Sequence, residues 1–170
     1  MGSEGSVSKL RLLCLHGFRT SGEIIKKQVT GKWPESVLEK LDLVFTDAPF
    51  PCQGKSDVEG IFDPPYYEWF QFNKELSEYV NFDECLAYIE DFMIKHGPFD
   101  GLLGFSQGAI LSAGLAGMQA NVSFRFGDQD FLKEHGTELL DSFVDPLVIR
   151  HPKDEKGLES MLSFLEKLQK

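Results

Sequence analysis

Short apolar runs and amphipathic stretches alternate along this chain. Residues 10–15 form a mostly apolar run and are predicted to be a buried strand, as are residues 42–46 and 99–105. After Asn81, apolar residues recur at helical spacing and indicate an amphipathic helix, with Asn81 as N-cap and Glu84 at the capping-box position. The apolar face of this helix comprises Phe82, Cys85, Leu86, Ile89, Phe92 and Met93.

The same alternation continues through the rest of the chain. A helix is predicted to start near Ser21 and another at Pro34, because proline suits the first turn of a helix. Gly97-Pro98 is predicted to end the helix that follows Asn81. The second half is predicted to add helices over 107–119, 131–140 and 158–168 and strands over 122–126 and 147–150.

This order of elements indicates an α/β fold with a mostly parallel central sheet and helices on both faces. Residues 1–8 are predicted to be a flexible tail and residues 9–170 to form one domain, which suits a chain of 170 residues. Residues 48–65 are rich in Pro, Gly and Asp and are predicted to be irregular. In such sheets ligands bind beyond the carboxyl ends of the strands, so the residues that follow the strands are the candidates for chemistry.

Composition and charge exclude several classes of function. Apolar residues make up 42% of the chain and charged residues 26%, as in an ordinary soluble globular protein. The formal net charge of −10 argues against nucleic acid or anionic lipid as the main partner, since both attract positive patches. No apolar stretch approaches the roughly 20 residues that cross a bilayer. The first ten residues lack the apolar core of a signal peptide.

The cysteines and histidines bear on the cellular compartment and on metal binding. Three cysteines without a C-x-x-C pair suggest reduced thiols and a cytoplasmic protein. Cys14 and Cys85 fall on apolar faces and are predicted to be packing residues. The four histidines show no metal-ligand spacing, so we expect no metal and no other cofactor.

The strongest motif is the pentapeptide 104–108, Gly-Phe-Ser-Gln-Gly, which fits G-x-S-x-G between a predicted strand and a predicted helix. That context is typical of a nucleophile elbow, in which a tight turn exposes the serine hydroxyl at a helix N-terminus. Ser106 is therefore the candidate nucleophile. The alternative is a tight structural turn without chemistry.

A second motif, His16-Gly17-Phe18, follows the first predicted strand directly. Acyl transfer needs two N–H donors aimed at the developing oxyanion. We expect these donors to be the backbone N–H groups of Gln107, directly after the nucleophile, and of Phe18. His16 precedes the nucleophile in the chain, whereas the usual order is Ser, acid, His, so His16 is predicted to orient this loop by hydrogen bonding.

Candidates for the acid and the base lie further along. Asp130 follows the strand predicted over 122–126 and is the preferred acid, with Asp128 as the runner-up and an Asp-rich turn as the alternative. His151 follows the last predicted strand and is the candidate base. A structural or surface role for His151 is equally open.

Together these residues resemble a family of serine hydrolases that includes fungal members, plant members and the human ovarian-cancer-associated hydrolase. The resemblance covers nearly the whole chain after the tail and is strongest to plant members. The stretches that carry it are LLCLHGFRTSGEIIKKQ, LVFTDAPFPCQGKSDVEGIFDPPYYEWF, FDGLLGFSQGAILSAGLAGMQ and GDQDFLKEHGTELLDSFVDPLVIRHPK. It implies an α/β-hydrolase fold and carboxylester hydrolysis, with Ser106 as nucleophile and Asp130 as acid.

The sequence departs from that family in two places. A strand with its loop and helix is missing between Gln119 and Val122, and a Gly-His loop that carries the family's base is missing after Lys153. Either the chain is a shortened form or these segments have been left out of the sequence. The predicted function is hydrolysis of a small-molecule acyl ester by a carboxylesterase or thioesterase. The alternative is a pseudo-hydrolase that binds a small apolar ligand or partner without turnover.

The aromatic segment 48–72 is expected to form one wall of an acyl pocket. For Trp69 and Phe70, an ordinary place in the hydrophobic core is an equally good interpretation.

Overall fold

A computed structural model describes residues 8–75 and 78–120 of the chain, with side chains up to residue 116. Strands and helices alternate through this part. In chain order they are β1 (Leu10–Leu15), α1 (Gly22–Thr30), α2 (Glu35–Leu38), β2 (Leu41–Thr46), β3 (Phe50–Pro51), β4 (Tyr67–Glu68), β5 (Gln71–Phe72), β6 (Tyr79–Val80), α3 (Phe82–His96), β7 (Gly101–Gly104) and α4 (Gln107–Ala120).

The central sheet is parallel and has the order β2-β1-β7 within the described residues. Leu15, the last residue of β1, pairs with Thr46 on one side and Gly104 on the other, which are the last residues of β2 and β7. The three strands therefore end at the same level. The segments that follow them meet at one edge of the sheet, where the sequence places the candidate motifs.

Apolar side chains of β1 alternate between two hydrophobic clusters, one on each face of the sheet. Leu13 and Leu15 are fully buried in the larger cluster, together with residues of α3 and α4. Leu10 and Leu12 belong to a smaller cluster around Val37 of α2. Both faces of the sheet are thus covered by helices, and the predicted α/β architecture is confirmed.

The predicted helix starts are only partly correct. Ser21 is the N-cap of α1, and its hydroxyl accepts the Ile24 N–H at 3.2 Å, as expected for a capping serine. Pro34 occupies the N-cap position of α2 rather than its first turn. Asn81 precedes α3, but its backbone is left-handed (φ 61°) and its side chain makes no cap hydrogen bond.

The capping-box prediction for Asn81 and Glu84 is therefore wrong. The Asn81 amide group donates instead to Gln71 Oε1 at 2.8 Å, so it ties α3 to β5. A left-handed backbone turns the side chain away from the free N–H groups of the first helical turn. The expected end of α3 is confirmed, because the Gly97 N–H bonds back to Met93 O directly after the helix.

The segment 48–65, predicted to be irregular, contains only the short strand β3, which pairs antiparallel with β4; β5 and β6 form a second short antiparallel pair after it. Between these pairs, Trp69 and Phe70 are 0% and 2% exposed and belong to the larger core cluster. Their burial decides between the two interpretations of the aromatic segment: these two rings pack the core and do not line an open pocket wall.

Cys14 and Cys85 are also buried, as their positions on apolar faces predicted. Burial raises the pKa of both thiols to about 12.

Over residues 8–75 and 78–120, no helix has the length and apolarity needed to cross a membrane. The same residues contain no group of three or more His, Cys, Asp or Glu side chains arranged to hold a metal ion. Residues 1–7 of the predicted tail and all elements predicted beyond residue 120 lie outside the described residues.

Candidate active site

Ser106 lies in a sharp turn between β7 and α4. Its φ of 53° is in the left-handed region, which non-glycine residues seldom occupy, and the residue is exposed. A Cβ at Gly104 would meet the backbone of Gly108 and, at 2.5 Å, the Ala109 N. The turn can close only because position 104 has no side chain. The backbone geometry is that of a nucleophile elbow.

The His16-Gly17-Phe18 loop lies directly against this turn. A Cβ at Gly17 would be 3.1 Å from Phe105 Cδ1 and 3.5 Å from Ser106 Cβ. The two motifs are about 90 residues apart in the sequence and meet because β1 and β7 are neighbours that end at the same level. The structure thus brings together the candidate nucleophile and the loop predicted to supply an oxyanion donor.

His16 is completely buried, and both of its ring nitrogens are engaged. Nε2 accepts the Ala48 N–H at 2.9 Å, so the ring proton sits on Nδ1, which donates to Gly17 O at 2.8 Å. Burial lowers the pKa of His16 below its ordinary value, against weaker opposing effects of the Gly17 hydrogen bond and the nearby Asp47 carboxylate. His16 is therefore neutral and has no free nitrogen to accept a proton from Ser106. It orients the loop, as the sequence predicted.

The carbonyl of Gly17 is held by a second donor, the Thr20 hydroxyl, at 2.8 Å. A trans peptide is planar, and its N–H points opposite to its C=O. Because the Gly17 carbonyl is directed toward His16 and Thr20, the N–H of Phe18 in the same peptide must point the other way. The direction of this N–H is thus set by side chains within the loop itself.

Gln107 is buried, and its side chain fixes the start of α4. Its Oε1 accepts the Trp69 N–H at 3.3 Å, and its Nε2 donates to Phe70 O at 2.9 Å. The first N–H groups of a helix have no partner within the helix. The backbone N–H groups of Gln107 and Phe18 make no hydrogen bond with any other described residue. Both predicted donors are therefore free to bind an anion as far as this part of the chain extends.

Three residues that hold these parts in place were given no role in the site by the sequence. Trp69 donates its indole N–H to His16 O at 2.8 Å, which joins the core to the loop. Arg19 Nε donates to Glu68 Oε1 at 2.7 Å, and Glu68 is 0% exposed. The available signal was an arginine directly after the Gly-Phe pair and a lone glutamate inside an aromatic run.

The acid and base candidates Asp130 and His151, and the runner-up Asp128, lie outside the described residues. Within residues 8–75 and 78–120, no side chain hydrogen-bonds the Ser106 hydroxyl. The roles of Ser106, Asp130, His151, Phe18 and Gln107 in catalysis therefore stay predictions, although the geometry around three of them is in place.

Comparison with known proteins decides the family. Residues 5–133 match the family described as serine hydrolase (FSH1). The chain belongs to this family. The resemblance noted in the sequence is confirmed, and the parallel sheet with its sharp serine turn is an α/β-hydrolase-type fold.

Relatives of this chain occur in fungi, animals and plants. Esterase FUS5 of Gibberella fujikuroi is 34% identical over 123 residues, which cover 69% of this chain and 52% of the fungal protein. Esterase C25G4.2 of Caenorhabditis elegans is 35% identical over 112 residues, which cover 61% and 48%. Rhodanese-like domain-containing protein 6 of Arabidopsis thaliana is 32% identical over 148 residues, which cover 69% and 25%. The chain spans about half the length of the two esterases.

Proposed function

We propose that this protein is a serine esterase of the carboxylesterase or thioesterase type. The observation that carries the proposal is the exposed Ser106 in a left-handed turn, with the Gly17-Phe18 loop packed against it. The backbone N–H groups of Phe18 and Gln107, which bond to no other described residue, belong to the same pair of segments. Relatives named esterases support this activity and do not favour a pseudo-hydrolase.

In the proposed reaction, Ser106 Oγ attacks the carbonyl carbon of the ester while a base takes the hydroxyl proton. The N–H groups of Phe18 and Gln107 stabilise the oxyanion that forms, and the alcohol or thiol leaves with a proton from the base. Water then attacks the acyl-enzyme and releases the acid. We assign the base to His151 and its orienting acid to Asp130, in the order usual for this fold.

The surroundings of Ser106 favour an uncharged acyl group. Phe105 and Phe18 are 57% and 40% exposed, although aromatic side chains of this size are usually buried. Phe105 packs against Gly17, so its ring lies on the same side of the elbow as the loop. These exposed rings, rather than the buried Trp69 and Phe70, are the apolar surface available to an acyl chain.

Covalent labelling tests the proposal. A fluorophosphonate probe should label the 170-residue chain, and Ser106→Ala should abolish both labelling and hydrolysis of p-nitrophenyl esters. Ser112→Ala is the matched control, because Ser112 lies within α4, six residues after Ser106, and its hydroxyl bonds only to Gly108 O within the described residues. Equal labelling of the wild type and Ser106→Ala would refute the nucleophile.

The same assay tests the base. His151→Ala should reduce ester turnover by about 10³-fold or more, because a serine hydroxyl needs a base near neutral pH. Full turnover by His151→Ala would show that the base lies elsewhere.

A further inference from the structure

A partly buried ion pair joins Arg19, in the loop before α1, to Glu68 of strand β4. Glu68 is fully buried, whereas the Arg19 side chain is 30% exposed. Glu68 Oε1 accepts Arg19 Nε at 2.7 Å and the Gln53 N–H at 3.3 Å. Its other oxygen, Oε2, is buried and has no partner among the described residues. The charge of Glu68 therefore depends on Arg19 for its compensation.

Arg19 is held at several other points. Its Nη1 donates to Lys55 O at 3.0 Å, and its own carbonyl accepts the Ser56 hydroxyl at 2.6 Å. Its guanidinium lies over the Phe18 ring, 4.7 Å from the ring centroid. Gly54 leaves room for this guanidinium, because a Cβ there would collide with it. The side chain and the carbonyl of Arg19 are thus both held by residues 53–68, and the guanidinium in turn contacts the Phe18 ring.

This fixing accompanies an unusual backbone. Arg19 has φ 54°, in the left-handed region that arginine avoids in the absence of constraints. The next residue is held as well, since Thr20 O accepts the Tyr67 N–H at 2.7 Å. A left-handed residue directly after Phe18 determines how the chain leaves the loop, and so limits how the Gly17-Phe18 peptide can rotate.

From this geometry we infer that Arg19 and Glu68 are positioning residues for the oxyanion donor: their ion pair holds the left-handed turn that fixes the direction of the Phe18 N–H in the loop packed against Ser106. The inference rests on the proposed esterase function and adds two residues that touch neither the substrate nor the reacting atoms. The pair acts through Phe18, so its loss should reduce the rate of the chemical step more than the binding of the substrate.

Glu68→Gln in the full chain tests the inference. This change keeps the volume of the side chain and an acceptor for Arg19 but removes the charge, and the guanidinium, whose side chain is 30% exposed, can then be solvated. We expect kcat for a p-nitrophenyl ester to fall by about 10- to 100-fold, less than the loss of a whole oxyanion donor, with KM changed less than about threefold. Glu59→Gln is the matched control, because Glu59 is exposed in the same segment.

Amide hydrogen exchange provides a readout that needs no activity. In Glu68→Gln, the Tyr67 N–H that bonds to Thr20 O should exchange about tenfold faster or more, while the amides of α3 keep their wild-type rates. Unchanged exchange at Tyr67 would overturn the inference whatever the activity. Faster exchange with unchanged kcat would show that the pair holds the loop but does not position the donor, and would overturn it as well.

Two further variants keep the test decisive. If Glu68→Gln does not fold, the same measurements are made on the double variant Arg19→Met with Glu68→Gln, which removes both charges. Arg19→Lys keeps the charge but cannot reach Glu68 and Lys55 O together, so it should give an intermediate kcat. A wild-type chain without Ser106-dependent turnover would refute the proposed function, and the exchange at Tyr67 would still decide whether the pair holds the loop.

Discussion

Replacing Gly108 with alanine should disturb the candidate site by pushing α4 away from β1. The added Cβ would lie 2.5 Å from the carbonyl carbon of Leu15 and 2.6 Å from the carbonyl oxygen of His16. Nonbonded heavy atoms normally lie about 3.5 Å apart, so the start of α4 must retreat by about 1 Å. Both carbonyls accept hydrogen bonds, from the Phe105 N–H and from the Trp69 indole, and cannot easily turn aside.

Overpacking of this kind costs about 1–3 kcal/mol, and the better helix propensity of alanine offsets at most about 1 kcal/mol. We therefore expect the free energy of unfolding to fall by about 1–2 kcal/mol and the Tm by about 2–8 °C. A displacement of about 1 Å at a catalytic group costs about 100-fold in rate, so kcat/KM for an ester should fall by that factor.

Thermal unfolding, urea unfolding and ester turnover measure these effects. Gly101→Ala is the matched control in the adjoining strand, because its Cβ would meet only the tip of the Leu12 side chain, at 3.2 Å. If Gly108→Ala matched Gly101→Ala in stability and turnover, the close approach of α4 to β1 would be refuted.

Two other predictions follow from burial. Because the pKa of His16 is lowered in the folded chain, the unfolded chain binds its proton first, so stability is lost as the pH falls below about 6.5. Urea unfolding of the wild type between pH 7.5 and 5.5 should show the free energy of unfolding falling by up to about 1 kcal/mol per pH unit. His16→Gln should not show this loss. An equal pH dependence in both proteins would contradict a buried neutral ring. Iodoacetamide at pH 8 should modify the half-buried Cys52 and leave Cys14 and Cys85 unmodified until urea is added, because burial raises the pKa of those two thiols to about 12. Mass spectrometry of the folded chain identifies the modified residues. Modification of Cys14 as fast as Cys52 would refute the burial of Cys14.

Local sequence pattern was sufficient for the central sheet and the serine turn. Leu13 and Leu15 alternate with Leu10 and Leu12 across the sheet, as an apolar strand covered on both faces requires. Gly104 and Gly108 mark the tight turn. A side chain at Gly104 would collide with the motif itself, and one at Gly108 would collide with the end of the adjacent strand β1. Signals of this kind depend on neighbouring residues and on simple sterics.

Contacts between distant segments could not be predicted from such signals. Arg19 and Glu68 are 49 residues apart, and no periodicity relates them. Asn81 has the composition of a capping residue, yet a partner on β5 and a left-handed backbone determine its role. Whether Trp69 packs in the core or lines a pocket depends on the return of its segment over the sheet, which apolarity alone does not specify.

The pairing of β1 with β7 has a consequence for how the protein is made. Leu15 and Gly104 are register partners, so the loop and the serine turn come together only after a chain of about 90 residues has closed on itself. Closing such a long loop lowers the conformational entropy of the chain before the contacts that offset this loss have formed. Non-local parallel pairing therefore slows folding. On the ribosome, residues 10–20 must wait for the elbow to be synthesised, and no partly synthesised chain shorter than this contains the assembled site. The candidate site is thus assembled only after β1 and β7 have paired.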